Sequence, residues 1–364
     1  MSNDDFDFND FNPKDLTDDP KEVSHLCHFL QAAMQIELTT IPLYMTAMYS
    51  IHPGTNEEAQ LVIRSVVLEE MLHLTLAANL VNALGGNPRL DQAHNLPSYP
   101  AKAPYSAESV TPFPLTPFSR AALDMFIAIE SPPYGKPKWD TRGWHTIGQF
   151  YGLIDKGLRN LVKRHRERGV FTGDPDKQVG PEHFYNSGGE VIKVTDLRSA
   201  REAIEVIIEE GEGLDESIFT SDDRLFDEER QEAHYFRFKE IRYGRRYGVH
   251  DTPADNPSGA PMEVDWDSAY RFEVDPNDFD GSDPHMADAK ALVERFTRTY
   301  AALTWVLHRT FNGDPARMKE AVPLMLDLRY LAEEIMRTPH PVKEGLNLYP
   351  NFNISPNLLT EVQK

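Results

Sequence analysis

Apolar residues recur at three- and four-residue steps through most of this chain, the period of helices that bury one face. Over residues 21–51 the inward line reads Leu26, Leu30, Ala33, Glu37, Ile41 and Tyr44, with Pro42 expected to kink the helix. Over 56–84 it reads Ile63, Val66, Glu70, His73, Ala77, Leu80 and Leu84, and Gly85-Gly86-Asn87-Pro88 is a strong stop. Shorter helices are predicted over 119–130, with Leu123, Phe126, Ile127 and Glu130 in line, and over 146–168. Asp196 suits an N-cap for a helix over 197–212, whose line is Ala200, Ile204, Ile208 and Glu212. An acidic link, 214–227, leads to a helix over 228–243 carrying His234, Phe238 and Ile241. Two more helices follow, one opened by Asp283-Pro284 and running to 311, the other over 314–338.

The intervening stretches are rich in turn residues. Residues 89–116 read as a proline-rich loop, 244–282 as a second long loop with a short strand at 270–274, and the late LNLYPNFNISP as extended or coiled chain. The expected organisation is an acidic arm over 1–20, a helical bundle over 21–245, and a loop with a two-helix extension packed on it over 246–364. The fold class is all-α.

Composition narrows the function. The 364 residues contain one cysteine, Cys27, which excludes an internal disulfide and a thiolate metal cluster. The formal net charge of −21 disfavours nucleic acid and anionic lipid as partners. The opening MSNDDFDFNDF has no signal-peptide character and no run of apolar residues is long enough to span a bilayer, so a cytoplasmic protein is expected. Glycine-rich phosphate loops, a Gly-x-Ser-x-Gly elbow and a zinc His-Glu-x-x-His are all missing.

The chemistry lies where the apolar lines break. Glu37 interrupts the first, Glu70 and His73 the second, Glu130 ends the third, and Glu212 and His234 flank the acidic link. An unpaired carboxylate in an apolar core costs several kcal/mol or takes up a proton. Converging carboxylates repel one another, and cations remove both penalties. Glu70 and His73 are three apart, so both can reach one ion. Bundles that hold two iron or manganese ions use a lone Glu on two helices and Glu-x-x-His on two others. Glu37, Glu70 with His73, and Glu130 fill three of these places. The fourth departs from the pattern, and Glu212 with His234, brought together from the halves of an interrupted helix, is the expected substitute; Glu209 is the alternative to Glu212. Tyr44 and Tyr151 could hydrogen-bond a ligand or relay a proton, although packing is their default role. His25, His28, Cys27 and His308 read as surface or packing residues, and Arg242, Arg245 and Arg246 as a salt-bridged cluster.

The segments HFLQAAMQIELTTIPLYMTAMYSI, VVLEEMLHLTLAANLVNALGGNP, FIAIESP, TIGQFYGLI, IIEEGEG and EAHYFRFKEI, with the later TWVLHRTFNGDP, resemble the ferritin-like family that includes the iminophenyl-pyruvate dimer synthase domain of violacein-type pathways. The resemblance runs from about residue 22 to 352. It implies a ferritin-like four-helix bundle with oxidative chemistry on amino-acid-derived or aromatic metabolites, and it marks Glu37, Glu70, His73, Glu130, Glu212 and His234 as site positions. It also brings in haem as an alternative cofactor. The leading expectation is a dimetal oxidase or oxygenase with two iron ions, manganese being the other suitable metal, acting with oxygen or peroxide on a small molecule held by the two long loops. A ferroxidase, storage or peroxide-removing protein, and a haem-linked or metal-free interaction module, are the competing readings. A homo-oligomer is left open.

Overall fold

A computed structural model describes residues 22–133, 143–184, 189–213, 218, 232–275, 278–279 and 284–364. The predicted N-terminal arm, nearly all of the acidic link, the first residues of the helix expected from 228, and the Asp283 cap lie outside them. The described residues are helical, with isolated β-bridges and no strand.

The helices are α1 (Val23–Ser50), α2 (Glu57–Ala83), α3 (Arg120–Ile129), α4 (Ile147–His165), α5 (Glu167–Val170), α6 (Leu197–Gly211), α7 (His234–Tyr243), α8 (Ala287–Phe311), α9 (Met318–Arg337) and α10 (Pro356–Val362). The long antiparallel pair α1 and α2 is buried along most of its length, and α1 runs uninterrupted through Pro42. Against this pair, α4 packs on α6 and α3 packs on α7. Two of the four columns of the bundle are therefore built from consecutive shorter helices. Their starts are set locally: Ser119 caps α3, Thr146 caps α4, and Asp196 forms a reciprocal capping box with Ser199 at α6. Helix α8 packs on α9, and α9 also touches α1.

Buried polar side chains of α2 anchor the surrounding chain. Asn79 donates to the carbonyls of Val179 and Ile192 and accepts from Val179 N, while Asn82 donates to Phe311 O at 2.8 Å. Asn56 and Asp265 exchange hydrogen bonds at 2.8 and 2.7 Å, fastening the second long loop to the start of α2.

One local expectation fails. Residues 270–274 form no strand. The chain there pairs at single points, Tyr270 N with Ser50 O and Asn347 N with Arg271 O, because its neighbours are a helix end and a loop rather than an extended partner. The stretch LNLYPNFNISP is coil up to Ser355, as expected, and α10 follows it, started by a Ser355 cap and Pro356 in the first turn.

Candidate metal centre

The bundle buries its acids at one level. Glu37 comes from the middle of α1, Glu70 and His73 from α2, Glu130 from the C-cap of α3, and His234 is the first residue of α7. Each of these five is at most 2% exposed. They form two trios, Glu37–Glu70–His73 and Glu70–Glu130–His234, in each of which the potential ligand atoms lie within 4.8 Å of one another. Glu70 belongs to both.

The distances suit ions better than direct contact. His73 Nδ1 is 3.7 Å from Glu37 Oε2 and 3.9 Å from Glu70 Oε1, too far for hydrogen bonds. His234 Nδ1 is paired with Glu70 Oε1 at 2.9 Å, off the line of a good hydrogen bond, and is 3.8 Å from Glu130 Oε2. Ligand atoms about 2.1 Å from a shared ion are themselves roughly 3–4 Å apart.

The far nitrogens are engaged. His73 Nε2 meets Glu210 Oε2 at 2.8 Å, and His234 Nε2 meets Glu69 Oε2 at 2.7 Å. Such outer carboxylates fix the ring and aim Nδ1 at the ion. Glu69 is itself paired with Arg237 at 2.8 Å. The carboxylates are held as well: Tyr151 Oη donates to Glu37 Oε1 at 2.5 Å, Tyr44 Oη to Glu130 Oε1, and Thr40 Oγ1 to Glu70 Oε2 at 2.6 Å.

The electrostatics show how strongly burial and neighbouring charges act on the cluster. Burial, reinforced by Glu70, pushes Glu37 up to about 8. Burial also opposes the Glu70 carboxylate, but His234, His73 and Thr40 outweigh it and hold Glu70 below its usual range. His73 is disfavoured as a cation by burial, yet the bond to Glu210 and the nearby carboxylates raise it to about 9. Protons on Glu37 and the histidines offset the clustered negative charge, and the donor set of carboxylates and imidazoles fits iron or manganese.

A ferritin-like family model matches residues 30–243, more than half of the chain. The chain belongs to the ferritin-like family. Among solved structures, a ferritin-like protein from Caulobacter vibrioides is similar over 84% of this chain and 95% of its own, at 23% identity and a TM-score of 0.54, a likeness of fold. Curated proteins give no match to the chain. Among the described residues of this ferritin-like chain, no helix is long and apolar enough to cross a membrane.

Of the six residues singled out in the sequence, five converge in this way. The sixth, Glu212, is the buried C-cap of α6 and lies in neither trio. Its Oε1 accepts from Gly148 N at 2.6 Å, at the start of α4. A Cβ on Gly148 would come within 2.2 Å of Glu212 Oε2, so glycine is what admits the carboxylate. Glu212 still lies near the centre: a Cβ on the preceding Gly211 would be 3.2 Å from Glu130 Oε2. Glu209 is only half-buried.

Glu69, Glu210 and Arg237 went unpredicted. The buried side of α6 includes Ala203, Ile207 and Glu210, a three- and four-step line beside the one chosen from the sequence. That line was the available signal for Glu210. His234 opens α7 rather than lying inside a longer helix, since Ala233 before it is extended. Arg242 pairs with Asp124, and Arg246 with Glu58 and Glu240, so these arginines form salt bridges. His308 stacks on Trp305 as a packed residue.

Proposed function

We propose that this ferritin-like protein is a dimetal oxidase or oxygenase, with two iron ions as the leading assignment and manganese as the alternative, acting with oxygen or peroxide on a small amino-acid-derived or aromatic metabolite. The observation that carries the reading is Glu70, common to two buried Glu/His trios. Glu37 and His73 would hold one ion, Glu130 and His234 the other, and Glu70 would lie between them. Glu212, beside Glu130, is the sixth proposed ligand.

Bound redox-active ions supply electron transfer to oxygen. In the oxidase form the substrate gives up two electrons and two protons, and dioxygen takes them up as hydrogen peroxide. The chain prepares the setting. Glu37, Glu70 and Glu130 balance the ionic charge, Glu210 and Glu69 keep both imidazoles with Nδ1 facing inward, and the packed core excludes water. The hydroxyls of Tyr151 and Tyr44 hold protons at Glu37 Oε1 and Glu130 Oε1, where protons can be taken up or returned.

A haem is poorly matched, because both candidate axial histidines already have Nε2 engaged and their rings stack on one another at 5.5 Å. The resemblance to the iminophenyl-pyruvate dimer synthase group supports the substrate class.

Reconstitution with iron followed by metal analysis and oxygen-uptake assays tests the proposal. About two ions per chain, lost when Glu70 is replaced, and oxygen uptake dependent on an added aromatic amino acid or its oxo acid are expected. Failure to bind metal, or deposition of iron mineral with no organic substrate oxidised, would overturn it.

A further inference from the structure

A cavity of about 380 Å³ opens beside the metal centre. On α1 its wall includes Ile36, Thr40 and Leu43, and on α3 it includes Ile129, the neighbour of Glu130. Trp144 and His145, just before α4, and residues of the proline-rich loop complete it. Its polarity is graded. Thr40, Ile129 and Trp144 are buried, His145 is half-buried, and Ser109 is exposed, with Ser109 Oγ 3.5 Å from His145 Nδ1.

Thr40 joins the cavity to the ions' proposed seat. It lines the cavity, and its hydroxyl lies 2.6 Å from Glu70 Oε2 and 2.8 Å from Glu37 O. One side chain therefore borders the cavity and bonds the carboxylate shared by the two trios. A second cavity, of about 240 Å³, lies between α1, α2, α8 and α9 and is almost wholly apolar. Thr75 and Thr304 in its wall turn their hydroxyls back to the carbonyls of Met71 and Ala301 on their own helices.

We infer that the larger cavity is the substrate pocket of the metal centre. It takes a small, mainly apolar molecule with its ring innermost, against Ile129 and Trp144, and one hydrogen-bonding or anionic head group outermost, at Ser109 and His145. Thr40 is the positioning residue between substrate and Glu70. The inference rests on the metal-centre reading given above.

The probe is 3-phenylpropanoate, followed by proton NMR relaxation on full-length protein loaded with Mn²⁺. The ring protons should be relaxed more strongly than those beside the carboxylate. Ala128→Trp, at an exposed position of α3 on the cavity wall, and Val110→Trp, from the loop, should each weaken the probe's Kd by about tenfold. Met325→Trp, in the second cavity, should leave it unchanged. Thr40→Val should alter the Mn²⁺ paramagnetic resonance spectrum through Glu70, and Thr40→Ser should restore it. Metal bound normally but a probe indifferent to both Ala128→Trp and Val110→Trp, or displaced only by Met325→Trp, overturns the pocket and leaves the metal centre standing. Absence of Mn²⁺ binding overturns the metal-centre reading instead.

Discussion

Tyr151 reaches from α4 to donate a hydrogen bond to Glu37 on α1, and Tyr44 does the same for Glu130 on α3. Each tyrosine thus serves one lone glutamate, and each glutamate belongs to a different trio. Tyr151→Phe should weaken one of two metal-binding steps by about tenfold or more, the usual cost of losing a group that orients a ligand. Tyr44→Phe should weaken the other. A metal titration that resolves two steps checks this; if both substitutions act on the same step, the pairing is wrong.

Glu70 predicts a different stoichiometric behaviour from its neighbours. Glu37→Ala removes a ligand from one trio only, whereas Glu70→Ala removes one from both. Metal analysis should find Glu37→Ala retaining one ion and Glu70→Ala retaining essentially none. Glu212 separates from both, because its carboxylate is held by Gly148 N rather than within a trio. If Glu212→Gln loses metal as Glu70→Ala does, it completes the coordination shell. Unchanged occupancy would instead confine its role to joining the end of α6 to the start of α4.

The legible part of the site was the part that breaks a regular pattern. Glu37, Glu70 and His73 stand out because everything else on their helix lines is apolar, and both helices are long enough for the line to be unambiguous. Glu130 and His234 were harder: one is a C-cap and the other a first residue, where periodicity gives no phase. Glu69 and Glu210 were missed for another reason. Glu69 lies one step off its apolar line and Glu210 lies on the second line of α6 rather than the chosen one, and each is held inward by a histidine from another helix, a pairing that local spacing does not name. The break at the fourth column was readable from the acidic link. The matching division of the third column between α3 and α4 was legible only as two short helices.

The outer acids carry their own prediction. Glu210→Gln should reduce metal affinity by roughly 10–100-fold while the fold persists, since His73 keeps a neutral partner. Glu69→Gln should do more. It takes the charge from the partner of Arg237, which is itself nearly buried. Stranding a buried charge costs about 3–5 kcal/mol, so the melting temperature should fall as well as the affinity. The double substitution Glu69→Gln with Arg237→Met should recover stability but not affinity. Thermal denaturation alongside metal titration separates the two effects.

Metal uptake and stability should respond to pH in opposite directions. Glu37 in the metal-free protein titrates near 8, above its ordinary 4.5, and His73 near 9, above its ordinary 6.5. Both groups therefore hold protons in the folded protein that the unfolded chain would release. Stability from these protons is present in full below the unfolded values and is lost as pH rises through the folded ones. The metal-free protein should thus lose stability from about pH 4.5, through Glu37, up to about pH 9, through His73. An ion needs the Glu37 carboxylate and the His73 Nδ1 lone pair, so binding expels protons and affinity should climb over the same interval before levelling. Calorimetry in buffers of differing ionisation enthalpy measures the released protons directly. Glu37→Gln should cut that release and flatten the climb, whereas a release unchanged by this substitution would show that the proton on Glu37 is not the one displaced.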